Sequence, residues 1–192
     1  MTLLSKPLLA WALALACVSA GGPAQAASKA AAKPPAPVHV SLLGGKFSFD
    51  LPENYVVSAP PPGEDRNTEG TLYINQAQKR VVIVAEHPLA KDHQAGDNDD
   101  AFLDGAVTGF IDKQSAALPD FKLQNETRLS LKGLGVRQID SQSSMGGGNT
   151  VNTTFLAGSG TTMAVVQVVS RADDEAGHGV LVKQIIDSAA GR

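Results

Sequence analysis

Apolar and polar residues alternate through Lys46-Phe47-Ser48-Phe49-Asp50-Leu51, the period of two expected for a half-buried strand. Pro52 ends it, and Pro60-Pro61-Pro62-Gly63 reads as a loop. Two further strands are predicted at Thr71–Ile74 and Arg80–Ala85, joined by a Gln76-Ala77-Gln78-Lys79 turn. The second is apolar at consecutive positions, which predicts cover on both faces and hence another layer over the sheet. Asp97-Asn98-Asp99-Asp100 opens a helix that runs to about Leu118 and stops at Pro119. Acidic residues suit a helix start, where unpaired N–H groups and the positive dipole end lie. Leu103, Val107, Phe110 and Leu118 fall near one stripe of that helix, with Phe102 and Ala106 beside it. Four strands follow, at 122–131, 135–144, 150–157 and 162–171. Gly146–Asn149 and Gly158–Gly160 are short loops within this run, so its strands are antiparallel neighbours. Asp173-Asp174-Glu175 then caps a last helix whose Val182, Ile185, Ile186 and Ala189 recur at helical spacing. The order strands, helix, strands, helix predicts an α+β fold, an antiparallel sheet flanked by helices.

The first residues follow a different logic. Lys6 precedes an apolar run from Leu8 to Ala20, too short for a bilayer span of about 20 residues. A charged start, a short apolar core and a small-residue exit form a secretory signal. The chain therefore divides into a signal peptide (1–26), an Ala/Lys/Pro-rich tether (27–37) and a single domain (38–192). Two cleavage sites compete. Ala24-Gln25-Ala26 would release a soluble protein beginning at Ala27. Ala14-Leu15-Ala16-Cys17 is similar to a bacterial lipobox and would leave a lipid-bearing Cys17, although Ala14 stands where a larger aliphatic residue is usual. The soluble cut is the preferred reading, and either one predicts a periplasmic protein, free or anchored as a lipoprotein. Cys17 is the only cysteine, so the domain needs an ordinary packed core.

Charge and motif chemistry narrow the function. A net charge of −3 gives no basic footprint for nucleic acid. Trp11, the only tryptophan, lies in the signal. Glu86, His87, Asp92, His93, Asp97, Asp99 and Asp100 gather between a strand and a helix. His87, His93, Asp97 and Asp99 are weak metal candidates, because the spacing matches neither zinc nor calcium motifs. A solvated acidic loop that caps the helix is the preferred reading. No cofactor is predicted. A nucleophile elbow is absent, and Gly146-Gly147-Gly148-Asn149-Thr150 lacks the ending of a phosphate loop. Ser141, Ser143, Asn152, Thr154 and Thr162 form a small, polar set on the later strands. It reads as an ordinary solvated face, or as a docking surface for an envelope partner by edge pairing.

Three segments carry a family resemblance. VSLLGGKFSFDLPENY, behind a Pro-rich tether, resembles the start of the DcrB family of bacterial envelope proteins. KRVVIVAEHP resembles that family's buried strand. LSLKGLGVRQIDSQSS and NTTFLAGSGTTMAVVQVVSRADDEAG resemble its C-terminal half. The resemblance covers most of 38–189 and implies a Mog1/PsbP-like α/β/α sandwich in the periplasm. It further implies a protein that is not an enzyme, with links to phage adsorption and envelope integrity and with no catalytic residues to transfer. Family members carry a clearer lipobox than the one at Cys17. The expected function is a non-enzymatic envelope protein that binds other envelope components, touching the membrane only through a lipid anchor. The alternative is a periplasmic metal- or small-ligand-binding module; a hydrolase with an unfamiliar site comes third.

Overall fold

A computed structural model describes residues 37–58 and 69–191. The signal peptide, Cys17, nearly all of the tether and the Pro60–Gly63 loop lie outside the described residues.

The chain enters through a separate hairpin of β1 (Val38–Leu42) and β2 (Phe47–Leu51). Its alternation places Val40, Leu42, Phe47, Phe49 and Leu51 in the core. The connecting turn is strained. Leu43 is buried at a φ of 52°, which is uncommon for a bulky side chain. Its N–H donates to Glu86 Oε1 at 2.7 Å, and that bond, with the buried side chain, holds the turn.

The main sheet has seven strands in the order β3-β4-β5-β9-β8-β7-β6. These are β3 (Val56–Ser58), β4 (Glu69–Asn75), β5 (Arg80–Pro88), β6 (Lys122–Leu131), β7 (Leu134–Met145), β8 (Gly148–Ser159) and β9 (Thr162–Arg171). Every neighbouring pair is antiparallel. Two meanders thus meet where β5 pairs with β9. Helix α1 (Asp100–Ala117) connects them across the outer face, and α2 (Glu175–Ala190) packs with the β1–β2 hairpin on the inner face. The result is the predicted α+β sandwich.

Cross-strand register separates the faces. Phe155 and Ala157 of β8, Val166 and Val168 of β9, and Val82 and Val84 of β5 point inward. They meet Leu181, Val182, Ile185 and Ala189 of α2 and the hairpin phenylalanines. Phe47 sits edge-on to Phe155 with centroids 6.4 Å apart, a favoured aromatic geometry. Outward, Val107 of α1 packs on Ile139 and Leu156.

Some expectations need correction. On β5 the outer face is covered only in part: Ala85 is buried but Val81 and Ile83 are half-buried, because α1 lies over β7 and β8. Glycines at 146 and 147 form the β7–β8 turn with φ of 57° and 79°, so the loop is shorter than predicted and Gly148 belongs to β8. Asp99 does cap α1, accepting from the Phe102 N–H at 3.0 Å. Asp173, Asp174 and Glu175 do not cap α2 in that way. A single 3-10 turn, Ala172–Asp174, precedes the helix, and Asp174 makes no side-chain capping bond.

Candidate functional site

The inner face changes character toward the N-terminus of α2. Thr153 and Ser170 replace aliphatic residues on β8 and β9, and His178 occupies the stripe position one turn before Val182. His178 is 7% exposed, and both its ring nitrogens are engaged. Nδ1 lies 2.9 Å from Ser170 Oγ, and Nε2 lies 2.9 Å from Thr153 Oγ1. Thr153 Oγ1 also donates to Asp140 Oδ1 at 2.7 Å, and the Gln138 amide donates to both Asp140 oxygens at 3.0 Å.

These partners assign the tautomer. The single Thr153 proton goes to the Asp140 carboxylate, so Thr153 must accept from Nε2–H, and Nδ1 accepts from the Ser170 hydroxyl. Burial holds the His178 pKa below its usual value. The attraction of Asp140 opposes this, the Arg80 guanidinium adds to it, and Asp174 and Glu175 again oppose it. The ring is therefore neutral near pH 7, and neither nitrogen is offered to a substrate. Ser170 is 1% exposed, so this Ser–His pair is no nucleophile–base pair open to solvent.

A second polar tie braces the same helix end. Arg80 donates from Nε and from its terminal nitrogen to the two Asp174 oxygens at 2.6 and 3.0 Å. This fork fixes β5 to the turn before α2. The buried Tyr55 hydroxyl has no hydrogen-bond partner of good geometry among the described residues. Its pKa is pushed up to about 12 by desolvation, against the nearby Arg80 charge.

Beside His178 a cleft of about 420 Å³ opens between α2 and the β6–β7 ribbon. Gln124, Gln138, Asp140, Gln142 and Glu175 line it, with Val182 as part of its apolar wall. Next to the cleft runs β6, the last strand of the sheet, paired on one side only. Most of its residues are exposed, and a bulge falls between Leu123 and Asn125. The cleft offers amides and carboxylates to a polar partner, and the strand offers unpaired backbone groups.

The predicted site residues have other tasks. His87 sits in β5 opposite Met163. His93 is exposed, with Nδ1 3.4 Å from the Lys91 carbonyl. Asp97 accepts from Lys46 Nζ at 2.8 Å and Ser159 Oγ at 2.6 Å, contacts that hold its carboxyl below the usual range. Its carbonyl accepts the Gly135 N–H at 2.7 Å. Asp99 is the α1 cap. The acidic segment is thus a brace between the β1–β2 turn, β7 and α1. Among the described residues no three His, Cys, Asp or Glu side chains gather in a metal-holding group.

Ser141, Ser143, Asn152 and Thr154 were expected on an exposed face, and this is corrected: all four are buried. Register places them on the same outer face as Ile139 and Leu156, on which α1 packs. Asn152 Nδ2 donates to Ser143 Oγ at 3.1 Å, and Thr150 Oγ1 donates to the Ser143 carbonyl at 2.9 Å. Thr162 is half-buried. Arg137 also went unnoticed in the sequence. Only 2% exposed, it leaves β7 to bind Asp100 and Asp104 of α1 at 2.7 and 2.8 Å, which ties the helix to the sheet.

Comparison with known proteins adds to this geometry. The inner membrane lipoprotein DcrB of Shigella flexneri is 25% identical over 149 residues, covering 78% of this chain and 75% of that protein. Over that length the chain is similar to DcrB. No family model matches it. The cyanobacterial PsbP of Synechocystis sp. PCC 6803 superimposes with a TM-score of 0.56 at 8% identity, over 80% of this chain and 94% of that one. That likeness establishes a PsbP-like fold for the chain. LpqN, involved in cell envelope biogenesis of Mycobacterium tuberculosis, gives a TM-score of 0.49 at 11% identity, over 82% of this chain and 84% of that one.

Proposed function

We propose that the protein is a non-enzymatic component of the bacterial envelope, held in the periplasm, that acts by binding other envelope proteins. The observation that carries this reading is the likeness to an inner membrane lipoprotein across three quarters of both chains. The chemistry of the site supports it. The buried histidine is closed on both nitrogens, and Arg80 and Arg137 are spent on ties between elements. No helix among the described residues is long and apolar enough to cross a membrane.

The partner surface in this reading is the free edge of β6 together with the adjoining cleft. Lys122 and the bulge guard the start of that edge against indiscriminate pairing, while Asn125–Ser130 remain available to a matching strand. A role in envelope integrity or phage adsorption would follow from that contact.

Two measurements test the proposal. The intact mass of the mature protein, taken from soluble and membrane fractions, should show a start at Ala27 or an acylated Cys17. An uncut leader in the cytoplasm would overturn the envelope location. A photo-crosslinking residue at Asn125 or Thr127 should capture a defined envelope protein in living cells. The same probe at Lys113 on α1 serves as the control. Equal or absent capture from β6 would overturn the partner surface.

A further inference from the structure

The outer face of the sheet is only partly covered. Helix α1 packs over β7 and β8, and β3, β4, β5 and β9 continue beyond it. Their register aligns Val56, Ile74, Val81 and Val169 in one row across four strands, with Leu72 and Ile83 in the next. A face covered by a helix would bury this row. Here Val56 is 60% exposed, and Ile74, Val81 and Val169 are half-buried.

At the end of the row the surface deepens into a groove of about 260 Å³. Val81, Ile83, Val169 and Met145 line it, and Lys79 and Arg171 line it beside them. Lys79 is exposed in the β4–β5 turn, and Arg171 ends β9. Neither takes part in an ion pair among the described residues. Two carboxylates, Asp173 and Asp174, line the adjoining pocket with them; Asp174 is held by Arg80, and Asp173 forms an ion pair with neither cation. An aliphatic floor with two uncommitted cations is complementary to a molecule with an apolar tail and an anionic head. Arginine presents a planar fork to a carboxylate, and methionine adapts to a flexible chain. The volume lies below the usual range for drug-sized ligands, so it suits one tail rather than two.

We propose that this groove binds a free, single-chain fatty carboxylate. The tail lies on Val81, Ile83 and Val169, and the carboxylate sits between Lys79 and Arg171. This site is on the opposite face from the α2 cleft and does not depend on the partner reading. Either can fail without the other.

The test uses the mature protein as isolated from cells. Sodium decanoate, decanol and decyltrimethylammonium are each titrated below their aggregation concentrations by calorimetry, with the carboxyl 13C shift of labelled decanoate as a second readout. Decanoate should saturate one site and bind at least tenfold more tightly than decanol, with the cation weaker still. The surface double variant K79Q/R171Q should lose at least tenfold in decanoate affinity with its melting temperature unchanged. Equal binding of all three amphiphiles, an unaltered affinity in the variant, or no saturation would each overturn the proposal.

Discussion

Acidification should weaken the fold through His178, by an amount the structure bounds. The unfolded imidazole takes a proton near pH 6.5, whereas burial depresses that pKa in the native state. Between the two values the unfolded chain binds more protons, so stability falls as the pH falls. The slope cannot exceed about 1.4 kcal/mol per pH unit. From pH 6.5 to 5.0 the loss from this residue is at most about 2 kcal/mol. His178→Leu removes the titration while filling similar space. At pH 7.5 the substitution leaves the Ser170 hydroxyl without its acceptor and Thr153 without its donor, at a cost of about 1–3 kcal/mol for buried groups. Urea denaturation of both proteins between pH 7.5 and 5.0 gives the difference directly. The wild type should start ahead, and the gap should close as the pH falls. A constant gap would refute the burial-driven depression. A widening gap would mean that the folded ring prefers its proton and that Asp140 outweighs desolvation.

Gly177→Ala would ordinarily favour a helix by about 1 kcal/mol. Here the new methyl falls on the Arg80 guanidinium and Asp174, so a net loss of about 1–2 kcal/mol is expected in a denaturant melt. Gly158→Ala drives a methyl into the Phe102 ring and to 3.0 Å from the Ala95 side chain; a loss of about 1–3 kcal/mol should appear as a lower melting temperature. In a spectrophotometric pH titration both tyrosines should ionise above the ordinary value of 10, Tyr55 only at about 12. Full ionisation near pH 10 in the folded protein would contradict the burial of both rings.

The sequence pattern located the second meander closely, because its turns carry glycine or an adjacent left-handed residue and β9 alternates cleanly. It missed β3, whose Val56 and Val57 are both exposed and which exists only through pairing with β4. It began the first hairpin one strand late, although Val38–Leu42 alternates as clearly as Phe47–Leu51. The buried polar quartet was misplaced for a physical reason. Small hydroxyl and amide side chains look solvent-facing in one dimension, yet here they are buried on the face that α1 packs against, where Asn152 donates to Ser143 while Thr154 Oγ1 has no partner among the described residues. The His178 network had a signal that went unread: a histidine on the apolar stripe of α2, and Ser170 and Thr153 on otherwise aliphatic strand faces. What no spacing could show is that Asp140, Thr153, Ser170 and His178, from four successive elements, meet at one point.

The junction of β5 with β9 has a consequence for how the chain is made. The two strands lie far apart in sequence, and β9 follows three other strands of its own meander. An emerging chain can zip β6, β7 and β8 locally, since such hairpins close over short loops. It cannot join its two halves until β9 has left the ribosome, and α2, which seals the inner face, comes later still. Until then the polypeptide lacks the contact that makes its sheet continuous. A chain cut short before Thr162 would therefore carry two raw sheet edges, on β5 and on β8, each a template for pairing with another molecule.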